Sequence, residues 1–188
     1  MKKILLSVFV LLAVCSGCVQ VNLPQSSGKE TKQYSLLLPS DFQAPERAVY
    51  VREFRTESPA KFKMLSRKGS SLQFDSFAKW ITTPTVMISS AYRKLYGSDN
   101  EDYKTAPYFL DGTILTFERN LDTNTADLKI QYCLVNRQTD KEVFKKLISS
   151  SVPLAGNSPA DFASAMSKAV LEQAGTIKKE IDNLKTTE

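Results

Sequence analysis

The sequence predicts an α+β domain: a mostly antiparallel sheet of about six or seven strands packed by two main helices, the longest at the C-terminus. Three patterns carry that expectation. Leu128, Ile130, Tyr132 and Leu134 alternate with Lys129, Gln131 and Cys133, the period-two signature of an antiparallel strand with one covered face. Thr83-Pro84 and Gly97 bracket a short apolar-periodic segment in the positions of a helix start and stop. Phe162, Met166, Ala169, Val170, Gln173, Ile177, Ile181 and Leu184 recur every three or four residues, which is the stripe of a long helix.

The chain of 188 residues opens with Lys2-Lys3, then an 11-residue run from Ile4 to Val14 interrupted only by Ser7. Cys15-Ser16-Gly17-Cys18 closes that run with small residues. This is the layout of a secretory signal peptide, and the run is well short of the ~20 residues that cross a hydrocarbon core. The segment around Cys18 resembles the bacterial lipobox, in which cleavage before a cysteine is coupled to lipid attachment on its sulfur. The alternative is an ordinary signal peptide or short anchor in which Cys18 is incidental. The lipobox reading divides the chain into a signal peptide (1–17), a lipidated N-terminus and flexible tether (18–33), and one periplasmic domain (34–188). Cleavage leaves 171 residues, enough for one domain with a real core. Loss of Lys2 and Lys3 lowers the net charge from +5 to +3, too mild to suggest nucleic acid. Once Cys15 is removed and Cys18 acylated, Cys133 has no partner in the chain, so no internal disulfide is expected. Its place in Leu128–Val135 suggests a small core residue, with an exposed, intermolecular thiol as the alternative.

Strands are expected at Tyr34–Leu38 and Ala48–Phe54. Phe62–Arg67 and Ser71–Phe74 read as a hairpin around Lys68-Gly69-Ser70. Pro84 cannot lie inside a regular helix without losing a hydrogen bond, so Thr83 is the expected N-cap and Pro84 the first helical residue. Phe77–Ile81 then becomes a turn that delivers Trp80 to the core. Tyr108–Arg119, Ala126–Asn136 and Glu142–Val152 follow as strands joined by Asp122-Thr123-Asn124 and Gln138-Thr139-Asp140. Ser158-Pro159-Ala160-Asp161 combines a capping serine, a proline at the first helical position and a reciprocating acid. From Pro159 to Leu184 the last helix would run about 39 Å.

The composition excludes much chemistry. The chain has no histidine, so it cannot build a Ser-His-Asp triad, a Cys-His pair or a histidine-ligated zinc site. Its seven glycines form neither a dinucleotide fingerprint nor a P-loop. Two S-x-x-K tetrads, Ser58–Lys61 and Ser76–Lys79, raise a serine–lysine hydrolase, but the companion S-D-N and K-T-G elements are missing. Asp99, Glu101 and Asp102 lack calcium-loop spacing, and Glu118-Arg119 reads as a surface pair. No catalytic residue, metal site or cofactor is therefore expected, and the chain is not read as an enzyme. Tyr34, Tyr50, Phe54, Phe74, Phe77, Trp80, Phe109 and Phe117 could line a groove for an acyl chain, although aromatics at strand spacing more often fill a sheet–helix interface.

The order of short motifs carries a resemblance. Tyr34-Ser35-Leu36, Val49-Tyr50-Val51-Arg52-Glu53-Phe54 and Met64-Leu65-Ser66-Arg67 come first. Leu72-Gln73-Phe74, Phe77-Ala78-Lys79-Trp80, Pro84 and Met87 follow, then Leu110–Glu118 and the long C-terminal helix. Over roughly residues 34–184 the chain resembles the ABC-type transport auxiliary lipoprotein family, and within it the paraquat-inducible protein C-like lipoproteins of mammalian-cell-entry (MCE) lipid transport systems. Ala106-Pro107-Tyr108 and Ser66 depart from the family pattern. The resemblance implies a lipoprotein on the periplasmic face of the outer membrane, anchored in outer-membrane phospholipid through Cys18. Val19, where inner-membrane lipoproteins carry aspartate, fits that placement. It further implies an MCE-domain periplasmic protein and an inner-membrane transporter as partners, with a ring-like homo-oligomer left open. The function implied is docking for intermembrane phospholipid transport and envelope integrity. Arg67 and Trp80 match family motif positions, Trp80 as a structural residue. A stand-alone lipid-binding lipoprotein and a hydrolase using Ser76 and Lys79 are the alternatives.

Overall fold

The computed structural model describes residues 30–98 and 102–184, within a compact unit that spans Thr31–Glu188. Cys18, the signal segment, most of the expected tether, Asp99 and Glu101 lie outside the described residues.

Eight strands form one sheet. They are β1 (Lys32–Tyr34), β2 (Val49–Val51), β3 (Arg55–Thr56), β4 (Lys63–Lys68), β5 (Ser71–Trp80), β6 (Tyr108–Asn120), β7 (Thr125–Asn136) and β8 (Glu142–Pro153). The helices are α1 (Pro84–Tyr96), the single turn α2 (Asp102–Thr105) and α3 (Pro159–Asp182). The path across the sheet is β1-β5-β4-β6-β7-β8, with β2 and β3 also paired to β6. The expected α+β class holds, with the longest helix at the C-terminus and one strand more than the expected range.

The second half of the sheet is an antiparallel meander made by local signals. Asn120 Oδ1 accepts the N–H groups of Asp122 and Thr123, and Asn136 Oδ1 accepts those of Gln138 and Thr139. Each turn then closes through a left-handed residue, Asn124 at φ 53° and Asp140 at φ 52°, a conformation that Asn and Asp tolerate better than most. The first half is held by longer-range pairing. β2, β3 and the end of β4 lie end to end along one edge of β6, all parallel to it, in the registers Val49↔Tyr108, Arg55↔Thr113 and Ser66↔Arg119.

Three expected boundaries move. β1 is Lys32–Tyr34, not Tyr34–Leu38, because Lys32–Tyr34 pairs in parallel with Ala78–Trp80 while the Leu37 N–H is drawn off to Ser167 Oγ on α3. This takes Lys32 and Gln33 into the sheet. The expected Ala48–Phe54 strand shortens to β2, Val49–Val51, and a separate short strand, β3, follows it at Arg55–Thr56. Phe77–Ile81 is not a turn, since β5 continues to Trp80 across an irregularity opposite Met64, where Asp75 Oδ1 accepts the N–H groups of Phe77 and Ala78.

One face of the sheet is covered by α1 and α3. Thr83 caps α1 from an extended backbone, Pro84 opens the helix and Gly97, at φ 64°, ends it. Ser158 and Asp161 form the reciprocal cap of α3. The core gathers Leu110, Ile114 and Phe117 of β6, Leu128, Ile130 and Leu134 of β7, and Phe162, Met166, Val170 and Ile177 of α3. Trp80 is buried among them, its ring centroid 5.1 Å from Phe117 and 5.5 Å from Phe162.

A buried polar relay crosses this core. The hydroxyls of Tyr92 and Tyr132 lie 2.6 Å apart, and Tyr132 donates to Gln173 Oε1 at 2.7 Å. The one proton of Tyr132 is thereby used, so Tyr92 is the donor to Tyr132. Gln173 Nε2 in turn donates to Leu128 O at 3.0 Å and to Ser150 Oγ at 3.2 Å. Burial, with the neighbouring tyrosine added, pushes the Tyr92 phenol well above its ordinary range, so the relay stays neutral at physiological pH.

Replacing Tyr132 by Phe leaves the Tyr92 hydroxyl without its acceptor and Gln173 Oε1 without a donor. The expected loss is about 1–3 kcal/mol in urea unfolding, with the secondary structure unchanged. The cap of α3 predicts an acid dependence. Hydrogen bonds from the Ser158 side chain and backbone hold the Asp161 carboxyl below its ordinary range. Its contribution is complete above the unfolded-state value of about 3.9 and is lost as pH falls through the lower folded value. Thermal melts of Asp161→Asn should therefore lie below the parent at neutral pH and converge with it in acid.

Candidate functional site

No single reaction centre collects the residues singled out in the sequence. Ser76 is exposed and Lys79 half-buried on β5, and no hydrogen bond joins them among the described residues. Lys79 instead lies across the ladder from Lys63 on one side and Gln33 on the other. Ser58 Oγ accepts the Ala60 N–H, a local turn contact. Among the described residues no three His, Cys, Asp or Glu side chains come close enough to share a metal ion.

Two further expectations are corrected. Cys133 is not a core residue: it falls on the outer parity of β7, half-exposed, with Sγ 3.6 Å from Glu142 Oε2. Burial and the Glu142 carboxylate both raise its thiol pKa. Glu118 and Arg119 are not a surface pair. The Glu118 side chain is only 7% exposed and takes a two-pronged contact from Arg67, Nε to Oε1 and a second nitrogen to Oε2 at 3.1 Å. Arg119 turns to the Asn157 carbonyl at 3.0 Å.

The aromatic set divides three ways. Phe54, Trp80 and Phe117 are core, with Tyr34 packed against it. Tyr50 and Phe109 join Tyr103 in a second cluster, in which Phe109 is buried and Tyr103 exposed; the Arg52 guanidinium lies 4.1 Å above the Phe109 ring and 3.1 Å from Asp111. Phe74 and Phe77 remain about half exposed on β5. The set therefore does not line one groove.

An apolar groove does exist, built from aliphatic residues that the sequence reading did not gather into one site. It lies between the segment after β1 and the outer side of α1, with a volume of about 290 Å³. Leu36, Leu38, Ile81, Val86, Met87 and Ala91 supply its walls, and Lys94 sits among its polar lining. Helical spacing explains the α1 side: Val86, Ser90 and Lys94 follow at intervals of four on the exposed stripe, while Ile88, Tyr92 and Leu95 face inward. An apolar residue on a polar stripe, Val86, was the one sequence signal for it. A second, polar notch of about 250 Å³ is lined by Arg52, Glu53, Arg55, Asp111, Gly112 and Thr113.

The motif segments prove to be physical partners. Arg52 N–H bonds Leu110 O at 3.0 Å, Arg52 pairs with Asp111, and the Phe54 ring lies directly over Gly112. A Cβ at residue 112 would come within 2.5 Å of that ring, so the glycine is needed for the close approach.

Neither a family model nor a curated protein matches the chain. Solved structures do. A crystal structure of protein XCC0632 from Xanthomonas campestris, of family DUF330, superposes with a TM-score of 0.67 at 13% identity, covering 80% of this chain and 95% of that one. An uncharacterized protein matches with the same TM-score at 11% identity, covering 81% and 99%. The fold is shared with both. A PelC dodecamer from Paraburkholderia phytofirmans gives a TM-score of 0.45 at 11% identity over 77% of this chain, too low to build on.

Arg67→Met should strand a buried Glu118 carboxylate at a cost of about 1–3 kcal/mol. Adding Glu118→Met should recover much of that loss, and a double-mutant cycle read by chemical denaturation measures the coupling.

Proposed function

We propose that this protein is a lipid-anchored envelope component, held at the periplasmic face of the outer membrane through Cys18. In this reading it serves as a non-catalytic docking piece of an MCE/ABC-type phospholipid transport system. The observation that carries the reading is the motif order behind a lipobox-like leader. That order has a structural counterpart, because the Val49–Phe54 segment and the Leu110–Gly112 segment lie against each other and set one another's geometry. The fold shared with the DUF330 protein is compatible with it. The partners would be an MCE-domain periplasmic protein and, through it, an inner-membrane transporter.

A second reading has one observation in its favour. The aliphatic groove beside α1 is open and apolar, as a site for part of an acyl chain would be. A stand-alone carrier should retain phospholipid through purification, which native mass spectrometry of the delipidated domain would detect.

Cys18→Ala is expected to leave the domain folded, remove it from the membrane fraction and impair function. Intact-mass measurement of the parent from cells should show fatty-acyl mass on the mature N-terminus, and in-envelope crosslinking should recover an MCE-domain protein. An unacylated parent, or a Cys18→Ala chain that still sediments with membranes and works normally, would sink the anchor. Acylation without an MCE-domain partner would leave a lipoprotein of another system.

A further inference from the structure

Large apolar side chains left in solvent are concentrated at one side of the sheet. Leu37 (71% exposed), Phe62 (51%), Phe74 (47%) and Ile81 (55%) are joined there by Leu72 and Val86. Pairing brings several of them together. The Phe62 carbonyl takes the Trp80 N–H, the Tyr34 carbonyl takes the Ile81 N–H, and Ile81 and Val86 share the groove beside α1. β5 carries Leu72 and Phe74 toward Ile81 along its ten residues, about 33 Å of strand. Monomeric surfaces seldom gather apolar residues in this way without a use for them.

Charge at the same place is also unusual. Lys63 and Lys79 stand directly opposite each other on β4 and β5, an arrangement that costs stability unless an anion relieves it. Neither makes an ion pair among the described residues. The Asp75 carboxylate accepts two backbone N–H groups through Oδ1 and makes no ion pair with either lysine among the described residues. Apolar side chains flanking unneutralised lysines fit the boundary of a bilayer, where aliphatic groups enter the acyl region and ammonium groups meet phosphate.

We propose that this band is a membrane-contact surface, which seats the β1–β5 side of the domain on a phospholipid bilayer containing anionic headgroups. The choice of a bilayer rests on the Cys18 anchor of the proposed function. Glu30 follows Cys18 by 12 residues, at most about 40 Å of chain, and the sheet begins at β1, the neighbour of β5. An acylated Cys18 therefore keeps this edge within reach of lipid.

The test uses the fragment Thr31–Glu188, the compact unit that holds every described core residue, after circular dichroism and a cooperative melt have established that it is folded. Lacking Cys18, it separates the surface from the anchor. Flotation with vesicles of phosphatidylethanolamine containing about a quarter phosphatidylglycerol should show weak, salt-sensitive binding. Phe74→Ser with Ile81→Ser should weaken it roughly tenfold or more without lowering the melting temperature appreciably. Lys63→Gln with Lys79→Gln should remove the preference for phosphatidylglycerol. Leu147→Ser, on the far edge strand β8, should leave binding unchanged. No flotation of the parent fragment would overturn the proposal, as would equal losses in the Leu147 variant or self-association of the fragment in place of lipid binding. An unacylated parent chain would instead refute the anchor, leaving vesicle binding to be judged by itself.

Discussion

β6 has thirteen residues, and each backbone N–H and C=O that it buries needs a partner. On one edge the solution is simple, a nearly continuous antiparallel ladder with β7. On the other edge no single strand is long enough. Three short pieces from the first half of the chain take successive stretches, β2 beside Tyr108–Leu110, β3 beside Thr113–Ile114 and β4 beside Arg119–Asn120. This constraint organises the molecule. It places Phe54 over Gly112, brings Arg67 to Glu118, and sets Arg52 against Asp111 and Phe109. β2, β3 and the end of β4 have few local reasons for their positions; β6 supplies the reasons.

The polar relay in the core explains why α1 has two such different sides. Its inner side is committed: Tyr92 bonds Tyr132 on β7, and Tyr96 donates to the Ala174 carbonyl on α3 at 2.8 Å. Ser89 accepts the Phe54 N–H at 2.8 Å and donates to Thr85 O, and Arg93 Nε reaches the Val51 carbonyl at 3.0 Å. These directional bonds leave α1 little freedom to rotate. The stripe of Val86, Ser90 and Lys94 is consequently held outward, and with the segment after β1 it forms the groove. A helix packed by apolar contacts alone could roll to hide Val86; this one cannot without breaking several buried bonds.

What the sequence made legible was local. Both helix caps, the left-handed Gly97, the two Asx-type turns and the β6–β7–β8 meander all follow from residues within a few positions of one another. What it concealed was non-local. Glu118 and Arg67 are 51 residues apart, and nothing in Glu118-Arg119 tells which of the two looks inward. β1 pairs with a strand more than forty residues later, so the apolar segment Tyr34–Leu38 marked the right neighbourhood and the wrong residues. The extension of β5 to Trp80 depends on Asp75 absorbing the irregularity, a side chain to backbone contact that periodicity does not encode. Aromatic residues misled for a related reason. Phe54 and Phe74 are both aromatic residues in expected strands, yet Gly112, Tyr92 and Tyr132 enclose the first while the second is left 47% exposed.

A lipid anchor and a weakly adhesive surface have different physical roles, and together they make a better seat than either alone. In the proposed reading each acyl methylene buried contributes about 0.8 kcal/mol, so two or three chains would fix the protein to a bilayer but leave the orientation of the domain undetermined. A patch of a few half-exposed side chains orients, but from free solution it would bind only feebly. Joined by a short linker, the second contact becomes intramolecular at an effective concentration on the order of millimolar. Modest apolar exposure then suffices, which lets the isolated domain avoid the aggregation that a stronger patch would invite. Seated by the β1–β5 side, the domain would carry β8 and the exposed Tyr103 away from the bilayer-facing edge, available to a partner. With α1 fixed by directional bonds to β7 and α3, a domain seated in this way would pass its orientation on to whatever it meets, as the proposed docking role requires.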